Sequence, residues 1–345
     1  MKRLRRGATR TQLLVVIALG MMGMLAFAIG APLLLFLREN SRLAQCRNNL
    51  KVYGIGIHTY HDVWNRIPSG ATEKEGIGHS FQVPILPMMG QERLYDEFRF
   101  SGRATGDARE NVYVAEYGDG VVLPFARCPS SSLPVFAMID AGGKQVRHQI
   151  SSYVGIAGSD NITVPGTGEN SHTSFAACCN DLAEGNPQQG IMSVDGALVL
   201  NSRFGFGAVR DGLSNTLFMS EQSGWGKVTT GGVPFDASSP HGWLAGTAEV
   251  KTAEQLRRDG GKTNLKSVYN LTTIVYQPGS VDVDRPGVSA GHGPNNPLIS
   301  GHSGVVALMG DGSIRQFPYR MDLIVLKKLS LRADGLPLEP QQRRK

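Results

Sequence analysis

The chain has 345 residues, and 41% hydrophobic with 19% charged residues is the composition of a folded protein. That composition excludes a disordered chain, a collagen and a rod built only of heptads, while 43 glycines predict many turns. The net charge of +6 resides at the ends, because eight terminal cations leave residues 11–342 at −2. A slightly acidic body argues against a nucleic-acid partner.

Residues 13–37 contain no charge and predict a transmembrane helix. At about 1.5 Å per residue they reach ~37 Å, enough to cross a ~30 Å hydrocarbon layer. Five cations and no acid precede the span, so residues 1–12 should form a basic leader in the cytoplasm. The chain should cross the cytoplasmic (inner) membrane once, and the residues after the span should lie outside it. The competing interpretation is a cleaved secretory signal with its site at Ala26–Ala28, which would begin the mature chain at Ile29. It is disfavoured because the apolar run continues beyond that site and ends at Arg38.

Residues 38–66 predict a membrane-proximal amphipathic helix, because apolar residues recur at steps of three and four. The stripe consists of Leu43, Cys46, Leu50, Tyr53, Ile57, Tyr60 and Trp64. It should pack on the protein's own domain, and a subunit interface is the alternative. The segment Arg66–Gly70 should end the helix, since its proline and glycine cannot continue one.

Residues 67–335 predict one extracytoplasmic domain, mostly antiparallel β, because glycine-rich turns cut it into short segments. The predicted strands are Tyr153–Ala157, Leu198–Leu200, Leu217–Ser220 and Thr272–Tyr276, with a hairpin of Val305–Met309 and Ser313–Phe317. A short helix over Met321–Arg332 should follow, with a stop at Ala333–Gly335 and a disordered basic tail over 336–345. The whole chain is therefore predicted to be α+β: a transmembrane helix extended by an amphipathic helix, a β domain and a C-terminal helix.

A series of short motifs resembles one bacterial family. The segment Arg5–Gly7 before the apolar helix looks like a prepilin-type leader. The other segments are Gln45–Lys51, Tyr60–Asp62, Ile85–Pro87, Leu94–Tyr95, Cys128–Ser130, Ser152–Gly155, Arg210–Thr216 with Glu221, and Gly301–Gly304 with Gly310–Ser313. In this order they are similar to the domain-of-unknown-function family 1559, whose members carry that leader. The resemblance implies a membrane-anchored, pilin-like exported protein. A prepilin peptidase, other pilin-like subunits and the lipid bilayer are its implied partners, and it supplies no reaction and no cofactor.

The resemblance also implies residue roles. Leader cleavage would fall between Gly7 and Ala8, and Gln12 stands where the family has a Glu that neutralises a neighbouring subunit's terminal amine. Because Gln12 carries no charge, we expect a single membrane-embedded subunit or an occasional filament component, and no polymerisation of this chain alone. The family motif residues are Asp211, Gly212, Ser214, Asn215, Thr216, His302, Asp311 and Gly312.

Four cysteines in an exported chain suggest disulfides. Cys46 and Cys128 both fall in family-like segments and are the preferred pair. Buried free thiols and pairs that use Cys178 or Cys179 remain open, whereas a bond between those two neighbours would be strained. A metal site built from the cysteines is disfavoured, because the chain has no Cys-x-x-Cys.

No motif specifies an enzyme, so we expect none. Weaker candidates for metal or catalytic chemistry are His58 with His61, His292 with His302 and Asp311, and Asp282 with Asp284. For these histidines and Asp311 we favour structural roles, with Gly312 supplying the positive φ of its turn. The disfavoured catalytic or metal interpretation would need the hairpin to bring His302 toward the Asp311–Gly312 turn. The alternative function is a membrane-tethered carbohydrate-binding module or hydrolase, with Trp225, Trp243 and Tyr276 as binding aromatics and the late His/Asp cluster as its chemistry.

Overall fold

The structure is a computed structural model of the chain. It describes residues 10–74, 77–98, 118–141, 143–163, 170–171, 173–179, 189–226, 235–238, 241–247, 249–265, 268–279, 285–289 and 293–336. Several predicted positions lie outside these residues: Gly7, Ala8, Asp282, Asp284, His292, most of the tail and the side chain of Gln12. The chain divides into an N-terminal unit, residues 1–44, and a domain, residues 45–345.

One helix, α1 (Arg10–Trp64), contains the predicted span. Within the N-terminal unit its large apolar side chains are exposed, with Phe27 at 76%. Among the described residues it is the helix that is long and apolar enough to cross a membrane. An exposed apolar stretch of this length is consistent with a single-pass membrane anchor.

From Gln45 onward, α1 belongs to the domain and buries one face there. The predicted stripe is confirmed from Cys46 to Tyr60, whereas Trp64 is 56% exposed, so its inclusion was wrong. The amphipathic segment is not a separate helix, because α1 continues into it without a break. The helix ends as predicted, just before Asn65 adopts a left-handed backbone conformation.

The remaining elements form a mixed α+β domain. Among the residues that the structure describes, the other helices are α2 (Glu92–Glu97), α3 (Ala253–Asp259) and α4 (Leu323–Ser330). The strands are β1 (Ala71–Lys74), β2 (Ile77–Ser80), β3 (Phe136–Ala141), β4 (Lys144–Gln149), β5 (Tyr153–Ser159), β6 (Ile162–Thr163), β7 (Asn170–Ser171), β8 (Phe175–Cys178), β9 (Gly190–Ser193), β10 (Leu217–Glu221), β11 (Trp225–Gly226), β12 (Phe235–Asp236), β13 (Asn264–Leu265), β14 (Leu271–Ile274), β15 (Gly304–Met309) and β16 (Ile314–Pro318).

The main sheet has five strands in the order β14-β5-β10-β15-β16. Its pairs are antiparallel except β14 with β5, and β8 with β13 is a parallel pair in a smaller sheet. Every residue of β5, β10 and β15 is buried, so the centre of this sheet is covered on both faces. Leu326 and Leu329 of α4 join the apolar core that β5 and β15 contribute to.

Most predicted elements of the domain are confirmed. β5, β10, β14 and the β15–β16 hairpin match their predicted segments within one or two residues at most boundaries. The strand at Leu198–Leu200 was wrong: these residues are buried but irregular, and the Leu198 amide donates to the Ile156 carbonyl. The C-terminal helix is confirmed, but it ends at Ser330 rather than at the glycine stop.

Candidate functional site: a buried cysteine, glutamate and histidine cluster

Four side chains from four distant segments meet inside the domain. Cys46 lies on α1, Cys128 follows the 3-10 turn Pro124–Ala126, Glu221 ends β10 and His302 precedes β15. All four are buried, and their donor atoms lie within 4.8 Å of one another. Two sulfurs, an imidazole nitrogen and a carboxylate oxygen form a donor set typical of a transition-metal ligand group.

His302 lies at the centre of the contacts. Its Nε2 lies 3.2 Å from the sulfur of Cys46 and 3.4 Å from that of Cys128. The same nitrogen lies 3.7 Å from Oε1 of Glu221, while the two sulfurs lie 2.6 Å apart. The cysteines are unbonded in the structure, so the predicted disulfide between them stays a prediction.

Glu221 is a fully buried carboxylate. Its Oε2 accepts a hydrogen bond of 2.9 Å from the Val306 amide, which fixes the side chain against the neighbouring strand. Its Oε1 has no hydrogen-bond partner among the described residues. Burial raises the pKa of Glu221, because an uncompensated carboxylate is costly in a nonpolar interior.

The loop that carries Cys128 is tied to α1. Asn49, one turn after Cys46, donates from Nδ2 to the Arg127 carbonyl at 2.8 Å and to the Tyr153 hydroxyl at 3.1 Å. Arg127 folds the loop on itself by donating to the Pro134 carbonyl at 2.7 Å. The pKa of Cys128 is raised, mainly by its hydrogen bond with the Cys46 thiol and secondly by burial. In the absence of a cation the Cys128 thiol therefore stays protonated.

The loop that carries His302 is held by Tyr319 and by close packing. The Tyr319 hydroxyl donates to the Ser300 carbonyl at 2.7 Å and lies 3.1 Å from the His302 carbonyl oxygen. Gly301 packs so closely on Ser130 that a Cβ would collide with the Ser130 carbonyl oxygen. Glycine at this position therefore lets the histidine loop approach the Cys128 loop.

The late His/Asp pair that the sequence suggested does not form. His302 precedes β15 and Asp311 lies at the hairpin turn after it, so a six-residue strand of about 20 Å separates them. Asp311 is exposed, and its carboxylate accepts from the Ser313 amide at 2.9 Å. The positive φ of Gly312 supports the turn role that we favoured for it.

The Gly310–Ser313 motif contacts the Asp211–Thr216 segment through a backbone hydrogen bond. The Gly310 amide donates to the Thr216 carbonyl at 2.8 Å, and His58 donates from Nε2 to the Gly310 carbonyl at 2.9 Å. Within the segment, the Asn215 side chain donates to the Asp211 carbonyl and the Thr216 side chain donates to the Gly212 carbonyl, which closes a turn. Asp211 instead accepts from the amides of residues 334 and 335, while Gly212 has a positive φ and Ser214 is exposed.

The remaining candidates have structural contacts. His61 accepts from the Phe206 amide and stacks on its ring. Trp243 is fully buried, whereas Trp225 is 42% exposed and the Tyr276 hydroxyl donates to the Pro286 carbonyl. Cys178 and Cys179, whose pairing the sequence left open, are bonded to each other.

A cavity that we did not predict lies elsewhere in the domain. Its volume is about 650 Å³. Aromatic rings from Tyr60, Trp64 and Tyr95 line it together with the cations Arg66 and Arg203. The exposed side chain of Trp64 marks this cavity, because the other residues of the α1 stripe from Cys46 to Tyr60 are buried.

The fold and the cluster define an α+β domain that follows an apolar helix suited to anchor it. The chain belongs to the family described as "protein of unknown function (DUF1559)", which matches residues 37–323. Comparison with curated proteins and with solved structures gives no match. All four cluster residues lie in segments that carry the family resemblance, which is the signal that could have located the site.

Proposed function

We propose that this chain is a membrane-anchored, pilin-like structural or interaction protein whose domain lies outside the cytoplasmic membrane. The observation that carries the proposal is one helix with a 25-residue uncharged stretch, exposed in the N-terminal unit, in a chain that belongs to the DUF1559 family. We propose a role in binding or assembly.

The orientation follows from charge. Five cations and no acid precede the span, which favours an N-terminus in the cytoplasm.

The aromatic cavity is the surface through which we propose that the domain binds. Of the three rings, Trp64 is exposed and lies beside the guanidinium groups of Arg66 and Arg203. Tryptophan and arginine side chains are enriched at protein interfaces, because they contribute apolar area and hydrogen-bond donors together. Another pilin-like subunit is the partner we propose. The alternative of a hydrolase loses its support, since His302 and Asp311 are held at opposite ends of a strand.

The leader sets how such a protein assembles. We propose that a prepilin peptidase cuts between Gly7 and Ala8. The uncharged Gln12 then provides no carboxylate for a neighbour's amine, and an unpaired ammonium is costly in the membrane. Assembly alone is therefore disfavoured, and the chain joins other subunits as a minor component.

The test is fractionation of cells that make the full chain, followed by N-terminal mass determination. We expect the chain to stay with membranes in high salt, because salt screens charge and does not weaken an apolar anchor. A peripheral protein released by the same wash is the control. Protease added to spheroplasts should cut the domain. The measured mass should be that of a mature chain that begins at Ala8. Soluble protein that begins near Ile29, or a domain protected from protease, would contradict the anchor or its orientation respectively.

A further inference from the structure

We propose that Cys46, Cys128, Glu221 and His302 bind one Zn²⁺ ion when both thiols are reduced. The inference goes beyond the proposed function and does not depend on it. It rests on the donor set, on the distances within the cluster and on one buried oxygen.

The three distances from His302 Nε2 are close to those of a tetrahedral site. Typical zinc bond lengths place a sulfur about 3.5 Å from an imidazole nitrogen and that nitrogen about 3.4 Å from a carboxylate oxygen. The corresponding distances here are 3.2 and 3.4 Å for the sulfurs of Cys46 and Cys128, and 3.7 Å for the oxygen of Glu221. The sulfurs, 2.6 Å apart, would have to separate to about 3.8 Å when the ion binds.

The second observation is the unpaired oxygen of Glu221. Its Oε1 is buried, has no hydrogen-bond partner among the described residues and lies beside His302 Nε2. A buried carboxylate oxygen needs a donor or a cation. A zinc ion at the centre of the cluster would satisfy it directly, while Oε2 stays on the Val306 amide and orients the ligand.

The charges also suit a divalent cation. Two thiolates and one carboxylate would bring three negative charges to Zn²⁺, leaving a net charge of −1. Thiolate and imidazole ligands favour zinc over magnesium or calcium, which prefer oxygen.

Zinc would join segments that are far apart in the chain. It would tie α1 to the Cys128 loop, to the end of β10 and to the loop before β15. Metal that binds only the folded state stabilises it. A cystine between Cys46 and Cys128 would remove both thiolate ligands, so zinc and the predicted disulfide are mutually exclusive on this pair.

The experiment uses the full chain in detergent, reduced with a phosphine under argon, then dialysed against Zn²⁺ and against metal-free buffer. Zinc per chain is measured by mass spectrometry of the metal, and Co²⁺ serves as the absorbing probe for thiolate ligands. The variants are Cys46→Ser, Cys128→Ser and Glu221→Gln. The matched control replaces both Cys178 and Cys179 by Ser, since these cysteines lie outside the cluster.

Wild type and control should each retain one zinc, and Co²⁺ should give thiolate-to-metal absorption. Each single cluster cysteine variant should lose about half of that absorption and most of the zinc. Glu221→Gln should keep the absorption but weaken zinc binding about 10-fold or more. Because this variant retains both thiols, it also decides the matter if the cysteine variants fail to fold. Reduced wild type without zinc, zinc retained equally by the Cys46→Ser and Cys128→Ser variants, or unchanged affinity in Glu221→Gln would overturn the proposal.

Discussion

Replacing Tyr53 by Phe should destabilise the domain although it removes a single atom. Tyr53 lies on the buried face of α1, and its hydroxyl donates to Oε1 of Gln82 at 2.6 Å. Both side chains are fully buried, and burial raises the pKa of Tyr53, so the hydroxyl remains a donor. Phenylalanine fills the same space but leaves Gln82 without that donor. An unsatisfied buried acceptor costs about 1–3 kcal/mol, so we expect a loss of about 2 kcal/mol.

The matched control is Ile55→Ala, two residues further along the same helix. Ile55 is 62% exposed, so removing three of its carbon atoms takes little packing away. Exposed substitutions usually change stability by no more than about 0.5 kcal/mol. Tyr53→Phe, the smaller chemical change, should therefore lower stability more than Ile55→Ala. This order is expected only if α1 is buried on the side that carries Tyr53.

Urea unfolding of the full chain in detergent measures both values, with fluorescence of the buried Trp243 as the signal. The midpoint should fall for Tyr53→Phe and stay close to wild type for Ile55→Ala. Equal losses in the two variants, or a larger loss for Ile55→Ala, would refute the packing of this segment.

Two further predictions concern a carboxyl group and a glycine. Burial, reinforced by the charge of Asp211, raises the pKa of Asp334 from 3.8 to about 6. The folded state thus holds this proton more tightly, and stability should fall as pH rises between those values. The full shift of about 3 kcal/mol is reduced by solvent screening to about 1 kcal/mol, and Asp334→Asn should flatten the dependence of the melting temperature between pH 4 and 7. An unchanged slope would contradict this assignment. Gly301→Ala should lower stability by about 1–3 kcal/mol in thermal unfolding, because its methyl group would displace the Ser130 backbone; a wild-type melting temperature would show that the loops can separate freely.

Local patterns predicted the elements that depend on local physics. The β15–β16 hairpin follows from two apolar runs around a glycine turn, and the stripe of α1 follows from helical spacing. The α3 helix also has a local signal that we missed: Thr252 and Gln255 form a capping box, and Gly260 closes the helix in a left-handed conformation. Leu198–Leu200 failed because an apolar run marks burial and does not by itself specify strand pairing.

Proximity in sequence misled the prediction of the site. His302 and Asp311 are nine positions apart, but an extended strand between them moves the two side chains to opposite ends of the hairpin. The true neighbours of His302 come from α1, from the Cys128 loop and from β10, at separations of 256, 174 and 81 residues. Such contacts are set by the order of strands in the sheet and by the packing of α1, which no local pattern encodes. The antiparallel pairing of β10 with β15 places Glu221 beside the start of β15, and the close approach at Gly301 brings in Cys128. A family-like segment without a reaction motif can therefore still contribute one side chain to a shared site. The side chains from the four segments come together only when the sheet has formed.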